Sequence, residues 1–120
     1  MLSQLTRAEC LMIAGERLRH KYGDAIPRLD LKAVAAKLGG YEESSIIPSD
    51  HCYEMINQDR SSFVFHLFVR HGPGTYKFLG SVYPYSGPVF WKPKGQPPRQ
   101  VGHWENGRHS LSFDPRTQGK

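Results

Sequence analysis

The apolar residues of this chain change period once, and that change limits what it can fold into. Up to Gly39-Gly40 they recur every three or four positions, whereas from Phe63 to Leu79 they alternate. A helical portion must therefore precede a β portion, within 120 residues that suffice for one modest core. That order predicts an α+β fold rather than repeated βαβ units.

Thr6-Arg7-Ala8-Glu9 is a capping box, so a helix should begin there and run to Gly23. Leu11, Ala14, Leu18 and Tyr22 form its apolar stripe. Gly15 weakens a helix interior by about 1 kcal/mol relative to Ala, a cost that makes sense where another element packs closely. Pro27-Arg28-Leu29 reads as an extended connector. Asp30 reads as the cap of a second helix, with Leu31, Val34, Ala35 and Leu38 on one face.

The segment Ser44 to Tyr53 lies between these helices and the alternating stretch. A helix capped by Ser44 holds Pro48 in its first turn, or a shorter one begins after Ser49; both end near Asn57. Phe63–Arg70 and Thr75–Leu79 are strands joined by His71-Gly72-Pro73-Gly74. Phe63, Phe65, Leu67 and Val69 share one face of the first strand, opposite Val64, His66, Phe68 and Arg70. Since both faces carry apolar groups, one should meet the helices and the other should be covered by later chain. Val89–Trp91 and Gln100–Trp104 read as further strands, and Asn106-Gly107 as a type I′ hairpin turn.

Two helices, a Ser-rich third element and a hairpin, in that order, outline a winged helix. The expectation is winged-helix-like N-terminal helices packed on a small antiparallel β-sheet. Residues 1–113 form one domain, helical over 5–58 and β over 62–113, with a flexible tail at 114–120.

Charge narrows the partners. Residues 1–60 hold 8 Lys/Arg against 9 Asp/Glu, while residues 61–120 hold 8 against 2, so the whole excess of +5 lies in the β half. A basic half-domain favours polyanions such as nucleic acid, although solubility alone also accounts for a charge of this size. No apolar run approaches the roughly 20 residues that span a bilayer, and the N-terminus lacks the pattern of a secretory signal. A cytosolic protein without a membrane partner is the expectation. Cys10 and Cys52 alone make a disulfide framework improbable.

Two resemblances follow from particular residues. Glu43-Ser44-Ser45-Ile46 after a short helix, with a hairpin ending Gly74-Thr75-Tyr76-Lys77-Phe78, resembles winged-helix-like modules fused to some bacterial restriction endonucleases. Ser45-Ile46-Ile47-Pro48-Ser49-Asp50 with Cys52-Tyr53, Tyr76-Lys77-Phe78-Leu79-Gly80, Tyr83-Pro84-Tyr85-Ser86-Gly87 and Gly102-His103-Trp104-Glu105-Asn106-Gly107 resembles an uncharacterised family of small bacterial domains. Asn usually follows the Cys-Tyr pair there, whereas this chain has Glu54. The second resemblance implies a compact bacterial domain and carries no activity with it.

Non-enzymatic nucleic-acid binding, as a DNA-binding or accessory module, is the leading expectation. Ser44, Ser45 and Ser49 offer hydroxyls to phosphates or base edges, and Arg70, His71 and Lys77 offer wing contacts. Lys92, Lys94 and Arg99, interleaved with aromatics, suit a single strand. Phe90 and at least one tryptophan are expected in the core. Against the helix mode, Glu42, Glu43, Asp50, Glu54 and Asp59 frame the third element with negative charge. The alternative is a protein-interaction or small-ligand domain with an aromatic pocket lined by Tyr83, Tyr85, Trp91 and Trp104. Asp50-His51-Cys52 cannot form a bonded triad, because adjacent helical residues point about 100° apart. The histidines show no zinc spacing, and Gly72-Pro73-Gly74 lacks the Lys-Ser/Thr of a phosphate loop. No catalytic residue, metal or cofactor is assigned.

Overall fold

The structure, a computed structural model, describes residues 4–56, 65–93 and 95–111. The expected tail at 114–120, and the start of the first long strand at Phe63 and Val64, lie outside them. Helix α1 (Arg7–Tyr22) opens on the expected capping box: Thr6 Oγ1 accepts from the Glu9 amide at 3.1 Å, and the Thr6 amide donates to Glu9 Oε1 at 2.8 Å. Strand β1 (Ile26–Pro27) leads directly into α2 (Arg28–Gly39). The second helix therefore starts two residues before the expected cap, and Pro27 rather than Asp30 is its N-cap. The Arg28 amide donates to the Gly74 carbonyl, and this tie to the hairpin turn sets where the helix begins. Asp30 instead accepts from the Tyr22 hydroxyl, which joins the two helices.

Residues 44–53 depart from the helix expected there. They form two 3-10 helices, Glu43–Ser45 and Pro48–His51, separated by Ile46 and Ile47. Pro48 lacks an amide N–H and would clash with the carbonyl four residues back, so it can open a turn but not continue a helix. Ile46 is fully buried and its carbonyl accepts from Lys32 Nζ at 2.8 Å. Where the expected helix would have ended, the chain is extended as β2 (Met55–Ile56).

Strands β3 (Phe68–Gly72) and β4 (Thr75–Phe78) form the expected hairpin, shorter at its start, and β1 pairs with β4 to give a sheet ordered β1-β4-β3. A second sheet, β2-β5-β6-β7, comprises β2, β5 (Gly87–Trp91), β6 (Arg99–Glu105) and β7 (Arg108–Leu111). Its β5, β6 and β7 are antiparallel neighbours, while β2 joins β5 in parallel. Asn106 and Gly107 have φ of 50° and 84°, the two positive values that a type I′ turn needs. The fold is α+β.

Two cores result. Leu11, Ala14, Leu31, Ala35, Ile46, Cys52 and Phe68 fill the space between helices and hairpin. Tyr53, Ile56, Val89, Trp91, Val101 and Trp104 fill the second, against the later strands. The hairpin is covered on both sides as its composition demanded: Phe68 faces the helices and Val69 packs on the second core. Among the described residues no helix is long and apolar enough to cross a membrane.

Gly15 is where α1 meets the hairpin, since a Cβ there would lie 2.3 Å from Cδ1 of Phe78. Gly15→Ala should therefore destabilise by up to about 2 kcal/mol net of the helix propensity it gains, because the Phe78 ring must move. Urea denaturation checks this; an unchanged or raised midpoint would mean the ring relaxes freely.

A candidate binding groove where the two sheets part

His51 to Ile56 passes from one sheet to the other. The Leu67 amide donates to the His51 carbonyl at 2.7 Å, and the Tyr53 amide to the Phe68 carbonyl at 2.9 Å. Two residues on, the Phe90 amide donates to the Glu54 carbonyl at 2.9 Å, and Met55 and Ile56 pair with Phe90 and Trp91. The ladder to β3 ends with a side chain rather than backbone: Glu54 Oε2 accepts from the Arg70 amide at 2.9 Å. Beyond that bond the sheets diverge and leave a groove of about 420 Å3.

Among the described residues, Met55, Ile56, Phe90 and Pro98 line it with apolar surface, and Arg70 and Lys92 supply positive charge. Arg70 Nη1 lies 3.7 Å from Met55 Sδ, and Lys92 Nζ donates to the Gln96 carbonyl at 3.3 Å. Phe90 is 39% exposed, whereas its neighbours Val89 and Trp91 are buried. This corrects the expected burial of Phe90. Strand alternation sends it outward, and the β5–β6 register slips between Val89 and Phe90. Glu54 Oε1 is buried without a hydrogen-bond partner. Burial pushes its carboxyl above the usual range, against the lowering pull of the Arg70 amide.

The other expected site residues are dispersed. Ser45 Oγ accepts from Arg7 Nε at 3.0 Å and donates to the Glu42 carbonyl at 2.8 Å, so it holds the first 3-10 turn to α1. Ser44 is exposed beside it, and Ser49 hydrogen-bonds the Tyr76 side chain. His71 is exposed on the hairpin, and Lys77 Nζ lies 3.9 Å from an Asp24 carboxylate oxygen. The Arg99 guanidinium sits 5.3 Å from the Trp91 ring centroid, while Lys94 lies outside the described residues. Of the expected basic residues, the structure thus brings Arg70 and Lys92 together. Met55, Ile56 and Pro98 were not anticipated, because their meeting depends on the parallel β2–β5 pair.

The four aromatics proposed as a pocket do not face outward together. Trp91 and Trp104 are 7% and 6% exposed, as expected of at least one tryptophan, and Tyr85 packs 5.2 Å from the Tyr53 ring. Tyr83 is 44% exposed. Trp104 Nε1 donates to the Tyr53 carbonyl at 2.6 Å, and His66 lies 4.9 Å from the Trp104 ring. In the Asp50-His51-Cys52 run, His51 Nδ1 is bonded to the Phe65 carbonyl oxygen, and burial pushes the Cys52 thiol well up. Among the described residues no three His, Cys, Asp or Glu side chains are placed to hold a metal ion.

Residues 14–111 match the family described as a domain of unknown function, DUF7225. The chain belongs to that family. The matched span contains every described residue of the groove and leaves out the first turns of α1. A relative, the uncharacterized protein YnaC of Bacillus subtilis (strain 168), is 35% identical over 97 residues, covering 80% of this chain and 36% of that protein. The chain thus spans little more than a third of the length of this relative. No solved structure matches significantly.

Two solution measurements follow from the buried groups. Burial pushes His66 down to about 4, with His109 and His51 adding to the shift, and burial also lowers His51 and His109. The unfolded chain takes up a proton at His66 near the ordinary value of 6.5 but the folded chain only near about 4, and His51 and His109 are shifted in the same direction. Stability should be full above about pH 6.5 and fall as pH drops toward 4, His66 alone accounting for about 2 to 3 kcal/mol. Glu54 has the opposite sign, since its raised carboxyl takes up a proton in the folded state first. Thermal unfolding across this range checks the balance; a Tm that rises on acidification would show Glu54 outweighing the histidines. Separately, Cys10 and Cys52 are fully buried, so a thiol reagent should modify them only on unfolding.

Proposed function

We propose that this domain binds nucleic acid, as a DNA-binding or accessory module, through the groove between its sheets rather than through a recognition helix. One observation carries this reading: Arg70 from β3 and Lys92 after β5 line the same groove from different sheets. Two cations held by separate elements suit successive phosphates of a backbone. The basic excess of the β half gives the surrounding field the same sign.

The order of α1, α2, a short third element and the β3–β4 hairpin supports a winged-helix-like outline in which Arg70 and His71 belong to the wing. Its third element is a poor reader of DNA, however. Glu42 and Glu43 precede Ser44, and Ser45 is engaged by Arg7, so phosphate affinity falls to the β half.

Fluorescence anisotropy with labelled oligonucleotides at about 50 and 200 mM salt tests the reading. Affinity should fall steeply with salt, and Arg70→Ala with Lys92→Ala should flatten the log–log slope by about 0.7 per cation on a single strand. Ser44→Ala should leave it unchanged. Absence of binding to single strands and duplexes at low salt would sink the proposal.

A further inference from the structure

We infer that the groove seats one unstacked base of a single strand against Phe90, with the flanking phosphates on Arg70 and Lys92. This rests on the nucleic-acid reading above and names the form of nucleic acid that the groove takes.

Phe90 is the starting point. A large aromatic ring in the middle of a β-strand, with both neighbours buried in the second core, stands 39% exposed on a face it shares with a cation. Such a ring offers a flat surface to any base irrespective of sequence, which is how single strands are held without hydrogen-bond readout. The bases of a duplex are already stacked and have no free face to offer it.

Size and charge agree. The groove's 420 Å3 falls within the roughly 300–1,000 Å3 of clefts that take small planar ligands, and Met55, Ile56 and Pro98 supply apolar walls around the ring. Its acid does not oppose a phosphate at the mouth. Glu54 Oε2 is committed to the Arg70 amide, and Oε1 is covered. Among the described residues, the charges that line the groove at the surface are the Arg70 guanidinium and the Lys92 ammonium, both on exposed residues. Arg70 also lies against Met55, so the positive group and the apolar wall are held as a unit. Apolar floor, exposed ring and cationic rim together complement a base joined to phosphates better than they complement a phosphate alone.

The test compares wild type, Phe90→Ala and Phe90→Trp against three probes: a single-stranded oligonucleotide, its duplex, and inorganic polyphosphate. Phe90→Ala should weaken single-strand binding about 5- to 150-fold, the range one stacked base supplies. Duplex and polyphosphate binding should change by less than about twofold, and Phe90→Trp should retain or tighten the single strand. Because Phe90 is partly exposed, the alanine variant should keep the wild-type circular dichroism, which serves as the folding control. Single-strand affinity unchanged in Phe90→Ala would overturn the inference, as would an equal loss for all three probes. Wild type that binds the duplex but not the single strand would overturn it too, while leaving nucleic-acid binding standing; binding to polyphosphate alone would overturn both. Failure of wild type to bind any probe would remove the parent reading, and this inference with it.

Discussion

The six residues from His51 to Ile56 hold this fold together, because they are hydrogen-bonded on both sides to strands of different sheets. Their first half pairs with Leu67 and Phe68, and their second half with Phe90 and Trp91. Trp104 adds a third tie by donating its indole N–H to the Tyr53 carbonyl. Buried backbone groups must find partners, so a segment that runs between two cores needs strands on both flanks. The helices and the hairpin meet directly, at Gly15 and Phe78 and through the β1–β4 pair, and this stretch joins them to the later sheet.

The same constraint makes the groove. A strand can follow two diverging neighbours only until their twist separates them. At that point Glu54 substitutes a carboxylate for the missing backbone acceptor and caps the ladder at the Arg70 amide. What opens beyond is lined by the outward face of β5 and the end of β2, with cations from each side. An ionisable side chain buried for a structural purpose therefore sits at the groove proposed as the binding site. Its charge is spent inward, on the ladder.

Behind the groove, Tyr53, His66, Tyr85, Trp104 and His109 pack as one aromatic group, with Tyr53–Trp104 and Trp104–His109 centroids 5.0 and 4.7 Å apart. Aromatic pairs at such distances contribute about 0.5 to 1.5 kcal/mol beyond their burial. Two histidines inside that group make the second core sensitive to acid, while the helical core combines aliphatic and small residues with Phe68 and Tyr76 and holds no histidine among its described buried residues. The two halves thus rest on different chemistry, although one segment joins them.

Local rules made much of this legible from the residues alone. The Thr6–Glu9 capping box, the hairpin around Pro73-Gly74 and the Asn106-Gly107 turn each depend on contacts within a few residues or on a backbone geometry few residues permit, and a glycine inside a helix pointed to the close approach at Gly15 without naming Phe78. Asp30 misled, because a residue that can cap was recruited instead by Tyr22 across the helix pair. Ser44 to Tyr53 misled more deeply: spacing cannot say that Pro48 will divide it into two 3-10 turns, or that Tyr53 will be buried by Trp104, which lies 51 residues away. Composition placed the positive charge in the second half. Which cations meet was decided by the parallel pairing of Met55 and Ile56 with β5, a long-range register that brings Arg70 and Lys92 to one groove and turns Phe90 outward. The sequence by itself determined the elements and their order, since those follow from short-range periodicity, caps and turns. Tertiary structure alone decided the site, because it depends on where two sheets separate.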